Sequence, residues 1–216
     1  MGNKLNRPSW LQKFKRRIDI WRDHIAGLDF LTVTPVSELG LNEALVSKCS
    51  PSWSALLEKI FLDLNISSTD RILDIGCGKG AVLRGLSKFP FGRIDGIELS
   101  DVLAAKAQEN FRVLKTNRVN IFNINAVKFN GFGEYNIFYL YNPFPKIVVE
   151  ELMANLSGQL SHQCETLIIY NNPVCHLVIE ANGFIKVSEY PDEWGNGIFC
   201  YSNKPNNGRF QQLNLR

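Results

Sequence analysis

The chain lacks any cysteine pair spaced for metal or redox chemistry. Its five cysteines (Cys49, Cys77, Cys164, Cys175, Cys200) are an odd number, and no C-x-x-C occurs. They read as free thiols in a reducing compartment. Histidine is scarce, at three residues. No His/Asp/Glu cluster offers a ligand set, so no metal is expected. Hydrophobic runs stop short of the ~18 residues that a membrane span needs. No apolar stretch follows the N-terminal charges, so no secretory signal is expected. The opening MGNKLN lacks the Ser/Thr that the myristoylation pattern requires. These absences point to a cytoplasmic protein. Net charge is nearly absent too, at +3 over 216 residues, which argues against a nucleic-acid partner. There is no internal repeat.

What charge there is lies at one end. Residues 1–25 hold seven Lys/Arg (Lys4, Arg7, Lys13, Lys15, Arg16, Arg17, Arg22) against Asp19 and Asp23, a net +5, which leaves −2 for the rest. Within that stretch Leu11, Phe14, Ile18, Trp21 and Ile25 recur at helical spacing and predict an amphipathic helix over 10–25. Three roles are open to it: a cap that closes over a site, a contact with an anionic membrane surface, or a holder for an anionic acceptor. The cap is the default. With 45% hydrophobic residues, the chain reads as one domain with an appendage. The expected division is a basic helical extension over 1–49, a main domain over 50–203, and a loose polar tail over 204–216.

The main domain alternates strands and helices. A short helical candidate lies near 41–48. Ser50 and Pro51 look like an N-cap and first helical position for a helix running through Trp53 to about residue 64. Strands are then predicted over 71–75, 93–99, 118–124, 135–141 and 165–170. Helices are predicted over 81–88, 102–114, 145–160 and, briefly, 175–180. Two further strands, 184–189 and 197–202, have no helix between them and suggest an antiparallel edge. This pattern predicts an α/β fold with a mostly parallel sheet covered by helices.

The stretch RILDIGCGKGAVL, residues 71–83, carries the first chemical signal. A strand ends at Asp74-Ile75, and glycine follows at 76, 78 and 80 before the next helix. Glycines let the backbone turn sharply and approach a ligand closely. A second acid, Glu98, ends the next strand about 20 residues on, where a carboxylate can take ribose hydroxyls. Gly76, Gly78 and Ala81 also satisfy the dinucleotide pattern G-x-G-x-x-G/A. However, Asp74 would repel a pyrophosphate and attract an ammonium. S-adenosylmethionine has an ammonium, a carboxylate, a ribose and no phosphate.

Residues 74–80 (DIGCGKG) resemble motif I of the class I S-adenosylmethionine-dependent methyltransferases, and 95–100 (DGIELS) is similar to their ribose-binding strand end. The likeness spans roughly 50–202 and is greatest to small bacterial members with a CGKG loop and a YNPF turn. It implies a doubly wound, mostly parallel seven-stranded sheet of Rossmann-like methyltransferase type with one reversed strand, and S-adenosyl-L-methionine as cofactor. The cofactor residues it implies are Asp74, Gly76, Cys77, Gly78, Gly80, Glu98 and Leu99, with Asn125 and Ala126 beside the adenine and Tyr141 at the next strand end. Asn125 stands where the family usually has Asp.

The acceptor should lie at the end of the fourth strand. Asn142-Pro143-Phe144 resembles the (Asp/Asn)-Pro-Pro-(Phe/Tyr) motif of amino-group methyltransferases, with one proline instead of two. The resemblance implies that Asn142 accepts a hydrogen bond from the target nitrogen and that Phe144 packs beside it. For an oxygen acceptor a base helps, and His176 is the candidate. Tyr170 and Asn171 could border the same cleft. Ser50-Pro51-Ser52-Trp53 resembles a site-lining lead-in of the same subgroup, although Trp53 fits a plain core position as well. N- and O-methylation both remain open, as do a cofactor-binding subunit without activity and an NAD(P)-dependent oxidoreductase.

Overall fold

The computed structural model describes residues 10–39, 53–142, 144–161, 163–192, 197–206 and 208–210. Seven strands are present: β1 (Arg71–Ile75), β2 (Arg93–Glu98), β3 (Val119–Asn123), β4 (Ile137–Tyr141), β5 (Leu167–Asn171), β6 (Ile185–Tyr190) and β7 (Ile198–Ser202). Six α-helices are described: α1 (Trp10–Ile25), α2 (Ala55–Asp63), α3 (Ala81–Leu86), α4 (Asp101–Val113), α5 (Lys146–Gln159) and α6 (His176–Ala181). The strands form one sheet in the order β3-β2-β1-β4-β5-β7-β6. The first five run parallel, and β7 is antiparallel to both β5 and β6. The α/β fold and the reversed edge are as the alternation predicts.

Both faces of the sheet are buried, as parallel strands require. Side chains alternate between the faces. Ile72, Ile94, Ile137, Tyr139 and Ile169 meet α2, α3 and Phe111 of α4 on one side. Leu73, Ile75, Ile97, Phe138, Leu140 and Ile168 meet α5 and α6 on the other. Helix α2 shows how local and tertiary forces combine. Leu57, Ile60 and Phe61 fall on one face and are fully buried, each worth about 1.5–3 kcal/mol. The Leu57 N–H donates to the Ser54 hydroxyl at 3.1 Å, a cap worth ~1 kcal/mol. The helix therefore starts after Ser54, later than the expected start at Pro51. Ser50, Pro51, Ser52 and the candidate helix at 41–48 lie outside the described residues.

The tail expected to be loose is held down at the residues described there, 204–206 and 208–210. Phe210 in the supposedly loose tail is buried, and the Arg209 guanidinium bonds Asp70 at 2.8 Å. Glu165 accepts the backbone N–H groups of both tail residues. Helix α1 spans the predicted residues, and its apolar stripe faces outward. Trp10 is 73% exposed, Phe14 57%, Trp21 62% and Ile25 66%. The helix holds to the domain by its polar side: Asp23 pairs with Arg84 of α3 at 2.7 Å, and Arg16 reaches the Leu31 carbonyl. The chain then turns at Gly27, and Leu28 and Phe30 enter the core, Phe30 packing edge-on to Phe111 at 5.6 Å.

Candidate functional site

The sheet order places β1 between β2 and β4. Crossovers from these central strands leave in opposite directions, which opens a crevice at their carboxyl ends. Ile75 is in register with Leu140, so the glycine turn after β1 and the turn at Asn142 after β4 border the same crevice.

Gly76, Gly78 and Gly80 all have left-handed backbone, with φ of 84°, 55° and 85°. At Gly80 a Cβ would also sit 2.7 Å from the Phe111 ring. Glycine is needed there twice over. The Gly76 and Cys77 N–H groups both donate to the Ile97 carbonyl at 2.9 Å, which pins the turn to β2. Glu98, at the end of β2, completes the frame. Its carboxylate accepts the Gly78 N–H at 2.9 Å and the Ser100 N–H at 2.8 Å. Burial pushes its pKa up, and those backbone donors oppose the rise.

Asp74 is the unusual group. It is 2% exposed, and its Oδ2 has no hydrogen-bond partner. Burial, and then the neighbouring Glu98 charge, hold its pKa well above the usual carboxylate range. A buried acceptor left unpaired costs about 1–3 kcal/mol, so a donor, and a cationic one above all, is favoured at this position. Two buried acids around the turn suit a pyrophosphate poorly.

At the ends of β4 and β5 the backbone is left-handed without glycine. Asn142 has φ 34° and Asn172 φ 51°. Tyr141 and Asn171 are in register, so Asn142 and Asn172 each follow the last paired residue of neighbouring strands. The sequence reading singled out Asn142 and missed Asn172. The repeated Asn-Pro pair, Asn142-Pro143 and Asn172-Pro173, was the available signal. The other left-handed residues that are not glycine, Asn65 and Lys115, follow helix ends, where that conformation is ordinary.

No model of a known protein family matches the chain. It is 26% identical over 138 residues to an uncharacterized methyltransferase of Schizosaccharomyces pombe, a match that covers 63% of this chain. The chain spans about half, 49%, of that relative. Among solved structures it resembles an RNA methyltransferase from Salinibacter ruber in complex with S-adenosyl-L-homocysteine, with TM-score 0.51, 20% identity, and 69% and 92% of the two chains covered. It also resembles an S-adenosylmethionine-dependent methyltransferase from Aquifex aeolicus, with TM-score 0.52, 16% identity, and coverage of 67% and 87%. The fold is that of the class I methyltransferases.

The remaining positions divide on their surroundings. Cys77 turns its side chain into the core beside Gly96, its N–H donates to Ile97 of β2, and its carbonyl accepts the Gly80 N–H. It therefore shapes the loop. Leu99 is half-buried, and its carbonyl accepts from the Asn123 amide. Asn125 caps a short 3-10 turn by accepting the Val127 N–H at 3.0 Å, while Ala126 is buried. Tyr141 is 39% exposed at the crevice end of β4, and Phe144 packs on the core.

Tyr170 does not border a cleft. It is fully buried, and its hydroxyl accepts the Cys175 N–H at 3.4 Å. Asn171 is half-buried and donates to the Tyr139 hydroxyl. His176 opens α6, with Glu180 3.9 Å away and its ring edge-on to Phe199. Among the described residues, none of these contacts joins it to Asn142. Trp53 stacks on Phe61 and covers Gly85, which is a core role.

Lys79 was passed over. It is 7% exposed, and its ammonium donates to Asp29 and Thr32, each at 2.7 Å. Asn110 joins the same cluster by donating to the carbonyls of Asp29 and Lys79. The glycine turn is thus tied to the segment that follows α1. No group of three or more metal-ligating residues is found among the described residues.

Proposed function

We propose that the chain is an S-adenosylmethionine-dependent methyltransferase that carries a methyl group to a nitrogen or oxygen acceptor. One observation carries the reading: the unpartnered, buried Asp74 carboxylate at the head of a turn built from three left-handed glycines. S-adenosylmethionine fits these residues. Asp74 would take its ammonium, Glu98 its ribose hydroxyls, and Asn125 its adenine amine. The glycine turn leaves room for its amino-acid end.

When bound, the cofactor supplies a methyl group activated on a sulfonium. Asn142 accepts a hydrogen bond from the acceptor N–H or O–H and aims the acceptor lone pair at that methyl. Phe144 walls the acceptor and excludes water. The residues named here would position the acceptor and exclude water. Catalysis of this kind comes mainly from positioning. His176 serves as base only if the acceptor is a hydroxyl.

The test is calorimetric titration with S-adenosylmethionine, S-adenosylhomocysteine and NAD. The first two should bind in the micromolar range, and Asp74→Ala should weaken both. Binding of NAD alone, or of none of the three, overturns the reading.

A further inference from the structure

We propose that α1 seats the protein on an anionic phospholipid bilayer, lying in the plane of the interface. This placement does not depend on methyltransferase activity. At 3.6 residues per turn, Trp10, Leu11, Phe14, Ile18, Trp21 and Ile25 occupy an arc of about 100°. All except Ile18, which is half-buried, are exposed. The opposite side carries the attachments to the domain, through Asp23 to Arg84 and Arg16 to the Leu31 carbonyl. The helix is therefore docked in the reverse of the usual sense, with its polar side against the protein and its apolar side in water. A contiguous exposed apolar face of this kind marks an interaction surface.

The charges say what covers it. On the helical wheel Lys13 and Arg17 border the apolar arc on one side, and Lys15 and Arg22 border it on the other. All four are exposed. Side chains so placed can rest their methylenes on the apolar layer while their heads reach lipid phosphates. Tryptophan and phenylalanine in the arc suit the boundary between headgroups and acyl chains. In a pair of copies packed face to face, these basic borders would oppose each other. The aliphatic residues Leu11, Ile18 and Ile25 offer nothing to a nucleic-acid backbone. The helix is not long and apolar enough to cross a membrane, so it lies on the surface.

The test is co-sedimentation of the full chain with vesicles of phosphatidylcholine alone and of roughly 7:3 phosphatidylcholine to phosphatidylglycerol. Binding to the anionic vesicles should exceed binding to the neutral ones by more than about tenfold and should fall steeply as salt is raised. A triple variant, Trp10→Ala/Phe14→Ala/Trp21→Ala, and a quadruple variant, Lys13→Gln/Lys15→Gln/Arg17→Gln/Arg22→Gln, should each lose at least about tenfold. All seven positions face solvent, so thermal melting should be unchanged. Salt and lipid dependence on the unaltered chain stand as a test even if a variant misfolds. Equal binding to both vesicle types, or none to either, overturns the proposal. So does a dimer, seen by light scattering without lipid, that the triple variant dissociates. RNA binding without vesicle binding does the same.

Discussion

Three turns at the carboxyl ends of β1, β4 and β5 reach left-handed backbone by different means. After β1, positive φ is met by glycine three times, at Gly76, Gly78 and Gly80; after β4 and β5 it is met by Asn142 and Asn172. Glycine adopts this conformation without strain and presents bare backbone. Asparagine tolerates it at some steric cost and keeps an amide that both donates and accepts. The glycine turn thus leaves room for close approach of a ligand, while the two asparagine turns keep side chains that can bond one. On the function proposed above, this difference gives holding to one side of the crevice and aiming to the other.

The largest expected effect is at Asp74, the charge behind the glycine turn. Asp74→Asn should weaken S-adenosylhomocysteine binding about a hundredfold, the loss of a charge-assisted contact, measured by calorimetry. The same change should stabilise the ligand-free protein. Because the folded-state pKa is raised, the folded chain binds more protons than the unfolded chain as pH passes from the ordinary carboxylate range up to the raised value. Stability therefore falls as pH climbs through that window. Thermal melts should show the variant above wild type at pH 8, with the gap closing toward pH 4.

Exchanging the two solutions comes next. Gly80→Asn places a Cβ against the Phe111 ring and should destabilise by about 3 kcal/mol, read as a lowered denaturation midpoint. The reverse exchange, Asn172→Gly, should change stability by less than about 1 kcal/mol yet lower methyl transfer to any acceptor found. Asn142→Gly should lower transfer more, with cofactor affinity kept. If Gly80→Asn were tolerated, or if the asparagine variants kept full turnover, the division of labour would collapse.

The smallest effect belongs to His176. His176→Ala should alter stability by less than about 0.5 kcal/mol, since the side chain is 42% exposed. Its transfer rate separates the acceptors: unchanged for an amine, and lower at neutral pH for a hydroxyl.

Much of this was legible in the residues. Strands β1 to β5 fall within two residues of the spans read from the alternation, because a parallel sheet needs short apolar runs at regular spacing. The glycine turn was equally plain, since few other structures need that pattern after an acid. What escaped depended on distant partners. Nothing near Arg209 in the chain announces Asp70, 139 positions away. Periodicity gave α1 its stripe, but a stripe does not name what covers it. Tyr170 looked like a cleft residue from its place at a strand end, but strand alternation turned it into the core. Asn172 was hidden because positive φ is not written in any side chain, only hinted at by the proline that follows.

The ion pair between Lys79 and Asp29, 50 positions apart, has a thermodynamic consequence. A residue inside the glycine turn holds the strand of chain that leads from α1, so order in either is order in both. Linkage is reciprocal: whatever free energy a bound ligand contributes by fixing the turn must return as protection of the segment around Asp29 and Thr32. Amide hydrogen exchange there should slow when the crevice is filled, and Lys79→Met should abolish that slowing even where ligand still binds.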